Sequence, residues 1–152
     1  MNHPQVVVYE GDGRLAQLLR QPLRACRWVL REPRQREVCL RLLRGGGPTV
    51  FVLKLGVNLE QELPLLDRAQ ALAHGARTVV VGDLQNEPLA NLAWDLGASF
   101  VLFPPMPHDW LPDLVSRLMQ SIVAGTHREA RVTLPPRSLA PTEAAQKIPS
   151  GP

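Results

Sequence analysis

The sequence predicts a doubly wound α/β fold, in which helices cover both faces of one parallel β-sheet. Short apolar runs alternate five times with stretches of helical periodicity, and this order implies right-handed crossovers between parallel strands. The apolar runs are continuous, as is typical of strands that are buried on both faces. The 152 residues, 45% of them hydrophobic, are enough for one domain with a core of its own.

The strands are predicted where apolar and β-branched residues run together, and the first of them holds three consecutive valines. Four to seven such residues stand between turn residues in each case, which is a usual strand length. The predicted strands are Gln5–Tyr9, Arg27–Leu30, Thr49–Leu55, Thr78–Val81 and Phe100–Phe103.

The helices are predicted from apolar residues at helical spacing, with Asn58 as an N-cap and glycines after several of the ends. His74 is expected to be a favourable cation at a helix C-terminus. The predicted helices cover residues 12–23, 35–44, 58–74 and 86–96, followed by a last helix that Asp109 caps and that buries Leu111, Leu114, Val115, Leu118 and Ile122. The domain is expected to span residues 1–124, and residues 125–152 are expected to be a disordered, proline-rich tail.

The net charge of +3 hides a gradient along the chain. Residues 1–54 carry ten Lys or Arg and four Asp or Glu, whereas residues 55–124 carry three and eight. A domain with one basic and one acidic side is suited to head-to-tail contacts or to a polar partner. Nucleic acid is not an expected partner, because the arginines are not interleaved with stacking aromatic residues apart from Trp28.

The sequence predicts a cytoplasmic protein without a membrane segment. No apolar run approaches the roughly 18 residues that a spanning helix needs, and the N-terminus has no basic region of the kind found in secretory signals. Cys26 and Cys39 are expected to be buried free thiols, which agrees with a reducing compartment.

The turn after the first strand, Glu10-Gly11-Asp12-Gly13, allows more than one interpretation. Residues Gly11–Ala16 fit the G-x-G-x-x-A pattern of a dinucleotide-binding loop, and Glu32 after the second strand could contact a ribose. However, Glu10 and Asp12 place negative charge where a pyrophosphate would lie, which opposes anion binding at the helix N-terminus. Asp12 is also a good helix cap, so a purely structural turn explains the stretch.

The fifth strand and its flanks carry a resemblance to a known family. Residues Gly97–Pro105, GASFVLFPP, and Pro48–Gly56, PTVFVLKLG, resemble the fifth and third strands of the receiver domain of bacterial response regulators. The first segment matches the family pattern at Gly97, Ala98 and Pro105. The resemblance covers residues 5–124 and implies a flavodoxin-like three-layer sandwich with strand order 2-1-3-4-5.

The positions that carry receiver chemistry depart from the family pattern. The family has two adjacent acidic residues after its first strand that hold Mg²⁺, whereas here Glu10 matches, Gly11 does not, and Asp12 lies one residue further along. The phosphoacceptor aspartate is replaced by Lys54, which cannot form an acyl phosphate. We therefore expect a degenerate acidic pocket that also includes Asp83.

Further departures follow the fourth and fifth strands. Gly82 stands where the family has a hydroxyl residue, and Pro104 stands where it has a lysine. The switch aromatic of the fifth strand falls on Val101, and Phe100 lies one residue away, on the opposite face of the strand. The resemblance thus implies a pseudo-receiver: a retained scaffold without phosphotransfer.

Lys54 is expected to lie among Glu10 and Asp12, where its ammonium would take the place of a metal ion. The alternative is that its side chain extends to solvent and pairs with nothing. The sequence leaves both possibilities open. In the first case Lys54 would lock the domain in one state and abolish metal dependence.

A protein partner is expected on the face of the fourth helix, fifth strand and fifth helix, which the resemblance implies as the docking and dimer surface. Leu89, Leu92, Ala93 and Leu96 are predicted to point inward, which directs Trp94 toward the rim. The predicted contact residues are Trp94, Phe100, Val101 and Trp110.

The predicted function is therefore a non-enzymatic interaction module of bacterial signal transduction, with no cofactor or metal and with homodimerisation as one possibility. Two alternatives stay open: a nucleotide-binding regulatory domain that uses Gly11–Ala16 to bind NAD or ATP, and an atypical phosphoacceptor that uses Asp12 or Asp83. The histidines of the chain show no metal-ligand spacing.

Overall fold

A five-stranded, all-parallel sheet is the centre of the fold. The computed structural model describes residues 3–73 and 75–124, and within them the strand order is β2-β1-β3-β4-β5. Every neighbouring pair is parallel. The strands are β1 Gln5–Tyr9, β2 Val29–Arg31, β3 Thr49–Leu55, β4 Arg77–Gly82 and β5 Phe100–Leu102. The predicted fold class and strand order are confirmed.

Helices follow each strand and pack on both faces of the sheet. They are α1 Arg14–Cys26, α2 Arg36–Arg44, α3 Leu59–Leu72, α4 Glu87–Asp95 and α5 Leu111–Ala124, the last preceded by a 3₁₀ turn, His108–Trp110. Asn86 caps α4, where its side-chain oxygen accepts a hydrogen bond from Leu89 N at 3.0 Å. The 3₁₀ turn stands where Asp109 was expected to cap the last helix, so that prediction was wrong.

Successive residues of a strand point alternately into two hydrophobic layers, one on each face of the sheet. Val50 and Val52 of β3 face α1 and α5, whereas Phe51, Leu53 and Leu55 face α2, α3 and α4. All seven residues of β3 are buried, as expected for the central strand of a parallel sheet.

The largest difference from the predicted elements concerns α1 and β2. The helix continues through Pro22 to Cys26 and ends at Arg27, whose left-handed φ of 61° turns the chain. The strand therefore begins two residues later than predicted. Cys26 is exposed at this helix end and only Cys39 is buried, so the prediction for Cys26 was wrong.

The expectations for His74 and for the tail 125–152 lie outside the described residues. Within the part of the chain that the structure describes, none of the helices has both the length and the apolar character that crossing a membrane requires.

Candidate functional site

The carboxyl ends of β1, β3 and β4 bring the predicted pocket residues together. Lys54 is the last but one residue of β3 and continues the row of Val50 and Val52, because side chains alternate along a strand. Asp12 lies in the turn after β1, and Asp83 directly follows β4. In a doubly wound sheet this edge is where functional groups converge.

Lys54 forms two ion pairs at this edge. Its Nζ lies 3.1 Å from Asp12 Oδ2 and 3.0 Å from Asp83 Oδ2. The lysine side chain is only 5% exposed, whereas Asp12 and Asp83 are 43% and 56% exposed. Lys54 is therefore buried and paired, and the alternative in which it extends to solvent was wrong.

The electrostatics of the cluster favour the charged forms of Lys54 and Asp12. Burial acts to lower the pKa of Lys54, but hydrogen bonds and charges from Asp83 and Asp12 outweigh burial and raise that pKa above 10.5. The pKa of Asp12 is lowered, chiefly because the backbone N–H of Arg14 donates a hydrogen bond to it and further because Lys54 is near.

Glu10 does not belong to this cluster, contrary to the prediction that Lys54 lies between Glu10 and Asp12. Its Oε1 accepts a hydrogen bond from Leu15 N and its Oε2 accepts one from Ala16 N, each at 2.9 Å. Glu10 thus caps the first turn of α1 with both carboxylate oxygens, at the end where the helix dipole favours negative charge.

This capping also bears on the dinucleotide alternative. A pyrophosphate at the start of α1 would need free backbone N–H groups, and Glu10 already occupies those of Leu15 and Ala16. Glu32, the candidate ribose contact, pairs with Arg20 at 2.9 Å. In the Gly11–Ala16 loop, the backbone N–H groups that a nucleotide would need are therefore capped by the protein's own Glu10.

Removing the carboxylate of Glu10 is expected to destabilise the domain. Glu10→Ala leaves the two α1 amides without their acceptors, and we expect a loss of about 1–3 kcal/mol in the free energy of unfolding. Glu10→Gln keeps one oxygen and should lose less than half as much. Urea denaturation of both variants checks this expectation, and equal losses in the two would contradict it.

Gly82 is held by packing at the position where the family has a hydroxyl residue. A Cβ atom placed on Gly82 would lie 2.6 Å from Cε2 of Phe103, far inside van der Waals contact. The Phe103 ring, buried at 4% exposure, therefore fills the space that a larger residue at position 82 would need. Phe103 was predicted to be the last residue of the fifth strand, but β5 ends at Leu102, and no sequence pattern indicated this packing.

Two further residues near this edge were missed. His108 Nε2 lies 2.9 Å from the carbonyl oxygen of Gly82 and 3.7 Å from Asp83 Oδ1, which fastens the end of β4. Glu62 is buried and accepts hydrogen bonds from Gly56 N and Asn58 N, each at 2.9 Å. The capping-box rule did not indicate Glu62, because it places the acidic residue three positions after the cap and Glu62 is four positions after Asn58.

The residues present do not fit the Mg²⁺ ion that the family resemblance implies. The ammonium of Lys54 lies between the carboxylates of Asp12 and Asp83. A Mg²⁺ ion at the same place would be repelled by the positive charge of this ammonium. Glu10 is bound to α1. Across residues 3–73 and 75–124, no three His, Cys, Asp or Glu side chains are grouped to hold a metal ion.

The predicted docking face divides into exposed and buried residues. Trp110 is 44% exposed. Trp94 is half-buried and meets Phe100 edge to face, with ring centroids 6.0 Å apart. Phe100 and Val101 are buried at 4% and 2% exposure, on opposite faces of the sheet, and both line a groove beside α4.

Helix α4 is less deeply buried than predicted. Ala93 is buried, but Leu92 is 40% exposed, so the prediction that Leu92 points inward was wrong. A groove of about 340 Å³ lies between α4 and the end of β5. Its lining includes Glu87, Trp94, Phe103 and Pro104, which places the predicted pocket residue Pro104 on the docking face.

The all-parallel pairing and the strand order define a flavodoxin-like fold. No protein-family model matches the sequence, and no curated protein matches it. Among solved structures, a CheY-like response regulator receiver domain protein from Methanospirillum hungatei is similar with a TM-score of 0.67 and 11% identity, over 81% of this chain and 98% of that chain.

Two other solved structures agree. A response regulator from Thermotoga maritima has a TM-score of 0.65 and 16% identity, over 79% of this chain and all of its own. A two-component response regulator from Clostridium difficile has a TM-score of 0.64 and 13% identity, over 77% of this chain and 96% of its own. The chain therefore has the fold of response regulator receiver domains.

Proposed function

We propose that this receiver-like domain is a protein-interaction module of signal transduction in the bacterial cytoplasm and that it does not transfer phosphoryl groups. The observation that carries the proposal is the pairing of Lys54 with Asp12 and Asp83. A lysine at this position cannot form an aspartyl phosphate, and its charge makes a bound cation unnecessary. In this proposal the domain is not an enzyme and takes no cofactor.

Docking would then be constitutive. Without a phosphorylation step, the population of the binding-competent state depends on folding, and occupancy of the partner depends on concentration alone. The face of α4, β5 and α5 suits a protein partner, because Trp110 before α5 is exposed and a groove beside α4 is lined by aromatic and proline side chains.

Phosphoryl chemistry can be tested directly. The chain is incubated with acetyl phosphate and Mg²⁺ and, separately, with beryllofluoride and Mg²⁺. We expect no change in intact mass and no change in tryptophan fluorescence. Addition of a phosphoryl group to Asp12 or Asp83, both of which are partly exposed, would overturn the proposal in favour of an atypical phosphoacceptor.

Nucleotide binding is the second candidate and has its own test. The G-x-G-x-x-A spacing favours it, whereas the amides that Glu10 occupies oppose it. Thermal unfolding with and without millimolar NAD or ATP shows whether the domain binds a nucleotide, since a ligand that binds the folded state raises the melting temperature. We expect no rise.

The docking face predicts the effect of Trp110→Ala. An exposed tryptophan at the centre of an interface commonly contributes about 2 kcal/mol or more, so capture of a partner from bacterial lysate should fall at least tenfold. Trp94→Ala is less suitable because Trp94 also packs on the core. Val57→Ala, 76% exposed in the loop before α3, is the control, and an equal loss in both variants would contradict the prediction.

A further inference from the structure

We infer that copies of this chain associate head to tail, with the β2 edge of one copy against the β5 edge of the next. The inference goes beyond the proposed function: the second copy would occupy the same groove beside α4 that the proposed partner protein would use, so the two would compete for it. It begins from the strand order, which places β2 and β5 at opposite edges of the sheet, and from the charges that each edge carries.

The β2 edge is basic. Residues 14–44, which form α1, β2 and α2, contain nine arginines and two glutamates. Several of these arginines are exposed and form no ion pair within residues 3–73 and 75–124; they are Arg24, Arg27, Arg34, Arg41 and Arg44. We call this surface the basic edge. Arginine is the basic residue that is enriched in protein interfaces.

The β5 edge is acidic. Residues 78–124 contain five Asp or Glu and a single arginine, Arg117, which lies 3.6 Å from Asp113. Glu87, Asp95 and Asp109 are exposed and have no ion pair among the residues that the structure covers. We call these three residues, together with the groove beside α4, the acidic edge.

The groove of the acidic edge has the chemistry that an arginine side chain requires. Glu87 provides a carboxylate, and the rings of Trp94 and Phe103 also line the groove. A guanidinium can form an ion pair with the carboxylate of Glu87 and stack on an aromatic ring of the groove. The basic edge offers arginines on both α1 and α2, so several could contact a neighbour together.

A second copy fits the charges better than a nucleic acid does. Each copy presents both complementary surfaces, whereas the basic edge has no exposed aromatic residue for stacking, since Trp28 packs against the core. Contact between two different surfaces is heterologous, so it continues from copy to copy until a ring closes or a filament grows.

Sedimentation of the full chain tests the inference. At about 20 mM NaCl we expect the mean mass to rise with concentration, and at about 500 mM NaCl we expect monomers because salt screens the charges. Arg24→Glu/Arg41→Glu should raise the dissociation constant at least tenfold, and so should Glu87→Arg/Asp95→Arg. Mixed in equal amounts, the two variants should associate again, because the intact acidic edge of the first meets the intact basic edge of the second.

The control is Glu60→Arg/Asp67→Arg on α3, which changes the net charge as much as the acidic-edge variant does but leaves both edges intact. It should associate like the unmodified chain. Monomers of the unmodified chain at low salt, or failure of the mixed variants to pair, would overturn the inference. So would an acidic-edge variant that still dimerises by itself, or a basic edge that binds RNA while the chain stays monomeric.

Discussion

Replacing Lys54 by alanine is expected to lower the free energy of unfolding by about 2–4 kcal/mol, whereas Lys54→Met should change it by about 1 kcal/mol or less. The two variants separate the aliphatic stem from the charge. Alanine removes buried methylene groups and leaves a cavity, but methionine keeps most of that volume. The ion pairs themselves contribute little because Asp12 and Asp83 are partly exposed. Urea denaturation measures both changes.

The same position should control metal dependence. Lys54→Asp would set a third carboxylate beside Asp12 and Asp83, a donor set that suits Mg²⁺. With a dissociation constant of about 1 mM, 10 mM Mg²⁺ would stabilise that variant by about 1.4 kcal/mol, or about 4 °C in melting temperature. The unmodified chain should show no such shift, and a clear shift in it would contradict the locking role of Lys54.

The pH dependence follows from the two pKa directions. Because folding lowers the pKa of Asp12, its contribution is present above pH 3.8 and is lost as the pH falls further. Because folding raises the pKa of Lys54, its contribution is present below pH 10.5 and is lost as the pH rises through the raised value. The stability difference between the unmodified chain and Lys54→Met should therefore be flat between these limits.

Comparison with the variant is necessary at high pH. Burial raises the pKa of Cys39 from 9.0 to about 12, so the unfolded chain ionises first and both proteins lose stability above pH 9. Only the difference between them reports on Lys54. A difference that already narrows at pH 7 would contradict the assignment.

The sequence was sufficient for those parts of the fold that depend on continuous apolar runs. Strand β3 matches its predicted bounds, because all of its side chains are buried and flanking glycines mark both sides. The start of β2 was placed too early because α1 ends on Arg27 in the left-handed conformation, and an arginine there gives no sequence indication of a helix end.

The sequence predicted most of the residues of the candidate site, but it did not predict which of them form ion pairs or hydrogen bonds with one another. The rule that strand ends converge brought Asp12, Lys54 and Asp83 together. It could not show that Glu10 turns back to cap α1, because a carboxylate one residue after a strand can face the sheet edge or the helix amides equally well. Which of the two it does depends on the exact path of the turn.

Gly82→Ser is the second substitution with a large expected effect. It adds a side chain where Phe103 already packs, with ring atoms 2.6–2.8 Å from the new Cβ, so either the ring or β4 must shift. Overpacking of this kind costs about 1–3 kcal/mol, and the rigid, buried ring places Gly82→Ser at the upper end of that range. Gly11→Ser is the matched control, because the nearest atom, Val57 Cγ2, is 4.0 Å from its Cβ position.

A double-mutant cycle with Phe103→Ala identifies the cause. Phe103→Ala alone should lose about 3–5 kcal/mol, but in its background Gly82→Ser should add almost nothing, which gives a coupling of about 3 kcal/mol, the full cost of Gly82→Ser alone. Additive losses would show that the ring is not the obstacle. If the coupling is found, a hydroxyl residue can return to position 82 only when Phe103 changes with it, so this part of the receiver pattern cannot be restored by a single substitution.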